Sequence, residues 1–124
     1  MKVLVTGSRE FTDRQMVFDK LNAQTNVGSG KSSLVVIHGA ASGADQLASA
    51  WCSTRRSVYE IAVPAKWDVH AKLAGPLRNT VMLSLNPDVV LAFYQEGAAN
   101  RGTSHMVMLA KKAGIPVNEY WSTS

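Results

Sequence analysis

The sequence predicts a three-layer α/β fold: a mostly parallel five-stranded sheet with helices on both faces. Three observations predict it. Five short apolar runs alternate with segments of helical periodicity along the 124 residues, the order that builds parallel sheets. The runs Val35-Val36-Ile37 and Val89-Val90-Leu91 are continuous rather than alternating, as strands covered on both faces are. The third is the set of glycine-rich turns that follow the first, second and fourth runs, the composition expected where a strand hands over to a helix.

Taken in chain order, Val3–Thr6 reads as the first strand. Thr12-Asp13-Arg14-Gln15 has capping-box spacing and starts a first helix, in which Val17 and Leu21 lie one turn apart. Gly28-Ser29-Gly30-Lys31-Ser32 looks like part of a phosphate-binding P-loop. The first glycine of that motif would fall at Thr25, however, and the run precedes a strand instead of following one. It reads as a flexible connection. Leu34–His38 is the second strand. Ser42-Gly43-Ala44-Asp45 repeats the helix-start pattern ahead of Leu47, Ala48 and Trp51. Val58–Val63 is the third strand. Residues 64–76 form the one long irregular piece, and with Trp67, His70 and Lys72 they read as a partly helical lid. Leu77, Val81 and Leu85 recur every fourth residue in a third helix. Val89–Phe93 is the fourth strand. Met106, Leu109, Ala110 and Ala113 make the apolar stripe of a fourth helix. Gly114 suits its stop, with Pro116 just beyond. Val117–Tyr120 closes the sheet. The whole, residues 1–124, reads as one Rossmann-like domain with right-handed crossovers.

Composition bounds the function classes. Apolar residues make up 46% of the chain and charged residues 18%, a balance that supports a packed core and excludes intrinsic disorder. The net charge of +4 mildly favours anionic partners such as phosphates. Cys52 is the only cysteine, so no internal disulfide forms and a reducing compartment fits. The opening MKVLVTGSRE turns polar after five residues, shorter than a signal peptide requires. No stretch approaches the roughly 20 apolar residues of a membrane span. The expectation is a cytoplasmic protein without a membrane partner.

In an open α/β sheet, ligands sit beyond the carboxyl ends of the strands. Three turns there carry the candidate ligand-binding residues. In the first, Gly7 lets the backbone turn tightly, Ser8 can donate to a phosphate, and Arg9 can pair with one. The second, Gly39-Ala40-Ala41-Ser42-Gly43-Ala44-Asp45, is almost free of bulk and opens a helix, whose free N–H groups attract anions. Asp45 has two readings there. It either caps its own helix or accepts from a ribose hydroxyl. The third turn, Asn100-Arg101-Gly102-Thr103-Ser104-His105, offers the backbone and hydroxyl donors of Gly102, Thr103 and Ser104 to one phosphate. Thr103 read instead as a plain N-cap is the alternative. His105 falls in the first turn of the helix, beside the expected ligand. Arg78-Asn79 starts the third helix at the same end of the sheet. His38, His70, His105 and Cys52 show no metal-ligand spacing, so neither a metal nor a cofactor is expected.

Four segments together resemble a known family. Val5-Thr6-Gly7-Ser8-Arg9, His38 through Asp45, Gly75-Pro76-Leu77-Arg78-Asn79 and Arg101 through His105 are similar to the YspA/YpsA-related branch of the SLOG superfamily. That superfamily includes the Lonely Guy phosphoribohydrolases and the DprA-like DNA-processing proteins. The resemblance runs from about Lys2 to Val117. It implies a Rossmann-like fold with a nucleotide or nucleotide-derived ligand. In Lonely Guy enzymes an arginine-lysine pair starts one helix and a Gly-Gly-x-Gly-Thr-x-x-Glu run starts another. Arg78-Asn79 looks like the first, with Asn79 in place of lysine, and Gly102-Thr103 looks like the Gly-Thr of the second. Counting on from Thr103, the family glutamate falls at Met106.

Three functional readings follow. The first is a binding or sensor domain for a nucleotide-like ligand, which the missing glutamate favours. The second is a phosphoribohydrolase-like enzyme, whose candidate catalytic residues are Arg78, Asp45, Glu96 and His105. The third is a single-strand nucleic-acid binder, as the DprA-like relatives suggest. It needs a basic track with interleaved aromatics, whereas Arg55-Arg56 and Lys111-Lys112 fall at helix ends away from the glycine turns, so nucleic acid ranks last. A homodimer is expected, with Met106, Met108 and Leu109 offering more apolar surface than one stripe needs.

Overall fold

Every apolar run becomes a strand. In the computed structural model, which describes residues 1–25 and 33–124, these are β1 (Lys2–Gly7), β2 (Leu34–His38), β3 (Val58–Ala62), β4 (Val89–Gln95) and β5 (Val117–Ser122). They pair in the order β3-β2-β1-β4-β5, and every pairing is parallel. The helices are α1 (Arg14–Thr25), α2 (Ala44–Ser53), α3 (Trp67–His70), α4 (Ala74–Ser84) and α5 (Arg101–Lys112), with a 3₁₀ turn at Ala71–Leu73 between α3 and α4. The P-loop-like run at 28–32 lies outside the described residues. No helix among the described residues is long and apolar enough to cross a membrane.

The continuous apolar runs have the cause expected of them. Side chains alternate across a strand, so Val3 and Val5 join Val17, Leu21, Ala48 and Trp51 beneath α1 and α2. Leu4 points the other way, joining Ile37, Met82, Val90, Met106 and Ala110 beneath α4 and α5. Each such side chain removed from water stabilises the fold by roughly 1.5–3 kcal/mol. Trp51 is fully buried, and its indole N–H donates to Asn22 Oδ1 at 2.9 Å.

Strand order reverses between β1 and β4. The chain leaves β1 toward one side of the sheet and β4 toward the other, which opens a crevice at their carboxyl ends. Gly7 pairs with Phe93 at that end.

The helix ends depart from the sequence reading in instructive ways. Asp13, not Thr12, caps α1: its Oδ1 accepts from the Met16 N–H at 3.1 Å, while Gln15 pairs with Asp19 instead of closing a box. Gly43 precedes α2 without any side-chain cap, and Ser42 donates to the Arg9 carbonyl instead. The α5 stop is as expected. Gly114 takes φ 76°, its N–H reaches the Lys111 carbonyl, and the Ile115 N–H reaches that of Ala110, which satisfies two end carbonyls.

The largest correction concerns α4. Two of the three stripe residues face outward, with Leu77 45% and Val81 49% exposed, while Leu85 at the helix end packs against the core. The helix buries Ala74, Gly75, Asn79 and Met82 instead. Two lines of residues compete for the interior of this helix. The line that wins carries a polar side chain, because Asn79 finds hydrogen-bond partners inside. On α5, Met106 is fully buried and so belongs to the core, not to an outer face, whereas Met108 stays half exposed.

Candidate functional site

The crevice is a cleft of about 820 Å³, within the size range of small-molecule pockets. Its lining comes from every turn at this end of the sheet. Thr6, Gly7, Ser8 and Arg9 arrive from β1, and Asp45 from the start of α2. Arg78 and Asn79 come from α4, and Arg101, Gly102, Thr103 and His105 from α5.

The β2–α2 turn is tied inward. Asp45 Oδ2 accepts from the Gly39 N–H at 3.0 Å and the Ala41 N–H at 3.2 Å. The carboxylate thus reaches back across the turn rather than capping its own helix. Gly43 sits at φ 79° and ψ −127°, a conformation essentially confined to glycine. An added Cβ would lie 2.2 Å from the Ser8 carbonyl oxygen, so this glycine lets the first two turns lie against each other. Gly39 makes room for Arg78, whose Nη1 would be 2.2 Å from a Cβ at that position and which donates to the Gly39 carbonyl at 2.7 Å.

The Asp45 carboxyl is the unusual group. It is buried, and its Oδ1 has no partner among the described residues. Burial pushes its pKa up, against the hydrogen bonds from Ala41 and Gly39 and the charges of His38 and Arg78. Such a buried acceptor is expensive to leave unmade.

A polar network fixes the opposite side. Arg78 Nε donates to Asn79 Oδ1 at 3.0 Å, and Asn79 Nδ2 donates to the Gly102 carbonyl at 3.2 Å. A guanidinium only donates and a carbonyl only accepts, so the two contacts orient the amide. The same Nδ2 then donates to His105 Nδ1 at 3.0 Å. That leaves the His105 Nε2 as the N–H of a neutral ring. Burial lowers the Arg78 pKa, with Asp45 opposing and Arg9 adding to the effect.

The first turn of α5 is open. Asn100, not Thr103, occupies the N-cap position and makes no side-chain cap. The early N–H groups of a helix have no intrahelical acceptor, and nothing lies within 4 Å of a Cβ built on Gly102. Arg9, Lys72, Arg78 and Arg101 line the cleft together with Asp45 and Glu10, a surplus of positive charge that suits an anion.

Not every expected residue lines the cleft. Gly39, Ala40 and Gly43 lie behind its wall, with Ala40 exposed at φ 56°. Ser104 lies on the outer side of α5, beside Tyr94 and Glu119. Glu96 is exposed in the β4–α5 turn and does not reach the cleft. His38 is a supporting residue: its Nδ1 accepts from the Ala40 N–H at 3.0 Å and its Nε2 meets Glu60 at 2.5 Å. Burial would raise the Glu60 carboxyl, but Ser49 and His38 hold it below its usual value. The sequence reading missed Glu10, Met82 and Ala99 as lining residues, while Thr6 and Asn100 belong to the turns it named. It placed Trp67 and Lys72 only in a lid, and both line the cleft.

The YspA, cpYpsA-related SLOG family profile matches residues 1–70. The chain belongs to this SLOG family. The matched part takes in the Gly7–Arg9 turn, the Gly39–Asp45 turn and Trp67. A SLOG-family reading of the cleft therefore rests on β1, β2 and the turns after them, while Arg78 and the α5 residues lie in the other half of the chain. The chain is also similar to the "Gene 61 protein" of Mycobacterium phage D29, 41% identical over 120 residues that cover 94% of this chain and 93% of that protein.

Proposed function

We propose that this SLOG domain binds a nucleotide or nucleotide-derived ligand in the cleft, as a sensor or binding domain. One observation carries the reading: the buried, unpartnered Asp45 Oδ1 stands in a cleft whose lining also carries the cations Arg9, Lys72, Arg78 and Arg101. A ligand that fits must bring a donor for Asp45 and an anion for the opposite side. A ribose hydroxyl and a phosphate on one molecule meet both needs. The hydroxyl would donate to Asp45, and the phosphate would accept from the Gly102 and Thr103 N–H groups, Arg78 and Arg101. SLOG membership supports the same ligand class.

Binding without hydrolysis is favoured by what stands at the position of the Lonely Guy glutamate. Met106 is there, fully buried in the core. The second reading, a phosphoribohydrolase acting on a nucleoside monophosphate, draws on the raised Asp45 pKa. A carboxyl so perturbed can serve as a general acid, with the His105 N–H beside the sugar.

Proton NMR on the protein mixed with AMP, ADP-ribose and NAD separates the two. The expected result is saturation transfer to a nucleotide with no free-base signal. Release of free base that disappears in Asp45→Asn would put the hydrolase reading in its place, and no transfer to any nucleotide would end both. We also propose that the chain forms a homodimer, with the half-exposed Met108 of α5 left as apolar surface for it. Sedimentation should then show a dimer, and a monomer at high concentration would contradict it.

A further inference from the structure

We infer that Trp67 is the platform on which the ligand's base stacks, so that the cleft selects a nucleoside over a bare sugar phosphate. The inference rests on the nucleotide reading above and names its specificity residue. Among the described residues, Trp67 is the one Phe, Tyr or Trp that lines the cleft. The residue is 47% exposed. The other two tryptophans are engaged elsewhere. Trp51 is in the core, and Trp121 stacks on Tyr94 with ring centroids 4.3 Å apart.

The position of the indole is built rather than incidental. The Val69 and His70 N–H groups both donate to the Lys66 carbonyl, at 3.1 and 2.9 Å, closing the one-turn helix that carries the ring. Gly75 passes beneath the six-membered end of the indole, where an added Cβ would come within 3.3 Å of Cη2. A side chain there would force the ring to shift by a few tenths of an ångström.

The ring already holds a planar, delocalised cation. The Arg9 guanidinium lies over it, 5.0 Å from the centroid. Arg9 stands in the turn after β1, where a phosphate partner is also wanted. A nucleobase is a larger flat group, and stacking on an aromatic is worth more than an exposed cation–π contact. On binding, the base takes the place of the guanidinium on the indole, and Arg9 becomes available to the phosphate. A sugar phosphate can use Asp45 and the α5 donors but offers nothing to Trp67. The base therefore adds affinity through this ring and through the Arg9 guanidinium it displaces.

The test titrates the full chain with AMP and with ribose 5-phosphate, following tryptophan fluorescence and, in parallel, calorimetric heat. Wild type should bind AMP with quenching and bind ribose 5-phosphate about tenfold to hundredfold more weakly. Trp67→Leu should lose about that factor for AMP without weakening ribose 5-phosphate binding, since the Arg9 guanidinium it frees can only add to the phosphate contacts. Trp67→Phe keeps a stacking face and should restore most of the AMP affinity, which separates stacking from a folding defect. Equal affinity of wild type for the two ligands overturns the inference while leaving the phosphate and hydroxyl contacts standing. An equal loss of both ligands in Trp67→Leu, unrepaired by Phe, also overturns it. If neither ligand binds wild type, the nucleotide reading itself fails and takes the inference with it.

Discussion

Two glycine-rich turns flank the cleft and are built in opposite ways. The β2–α2 turn uses its polar groups on the protein itself. Gly39 and Ala41 donate to Asp45, Ser42 donates to the Arg9 carbonyl, and Arg78 closes on the Gly39 carbonyl. The β4–α5 turn leads into a helix start with no side-chain cap and open space around Gly102. One turn is a fixed wall that presents a single orphaned acceptor. The other opens α5 without a side-chain cap and leaves the Asn100 Oδ1 unpartnered among the described residues. The difference teaches that glycine richness alone does not mark a ligand contact: Gly43 serves the fit of protein on protein, whereas Gly102 leaves room.

The sharpest way to break this comparison is a matched pair of substitutions. Gly43→Ala forces a Cβ into the Ser8 carbonyl at a positive φ and should cost about 3 kcal/mol or more. The expected thermal midpoint falls by roughly 10 °C. Gly102→Ala meets nothing and sits at a helical position, so it should raise stability by about 0.5–1 kcal/mol. Thermal unfolding of both variants decides the point, and similar losses in the two would show that the turns are not built differently.

Asp45→Asn sharpens the comparison from the ligand side. The amide oxygen can still accept from Gly39 and Ala41, but an NH₂ replaces the orphaned oxygen. Nucleotide affinity should fall about tenfold, near 1.4 kcal/mol, with the fold retained. Unaltered affinity by calorimetry would remove Asp45 from the site.

The smallest effect is one of pH. The folded-state carboxyl has its pKa raised by burial, so the folded chain holds this proton more tightly than the unfolded chain does. Its contribution to stability is fully present below the unfolded value, about 4, and is lost as pH rises through the raised folded value. Wild type should therefore lose stability relative to Asp45→Asn as pH rises above about 4. Urea unfolding midpoints across that range test it, and a constant difference would contradict it.

Much of this was legible in advance. Continuous valine-rich runs announce strands covered on both faces, and Leu34–His38 begins and ends where the apolar run does. Gly114 followed by Pro116 announces the end of α5. The location of the cleft was legible for the same reason, since an open parallel sheet leaves its crevice at the carboxyl ends of the strands. Less legible was α4. Spacing reveals that a helix has an apolar line but not which line faces inward, and here the polar Asn79 went in while Leu77 stayed out. The capping box at Thr12 failed for a similar local reason, because the adjacent Asp13 is an equally good acceptor.

The sequence by itself determined the strands, their parallel order of build and the end of the sheet at which the cleft opens. These follow from local periodicity and from backbone chirality, which act over a few residues at a time. Only the tertiary structure decided which residues of the turns face the cleft. Asp45 left with one unpaired oxygen, Asn79 setting the His105 tautomer, and Trp67 placed over Gly75 each depend on atoms far apart in the chain. Such pairings arise when separate turns close on one another, and no spacing within a single segment encodes them.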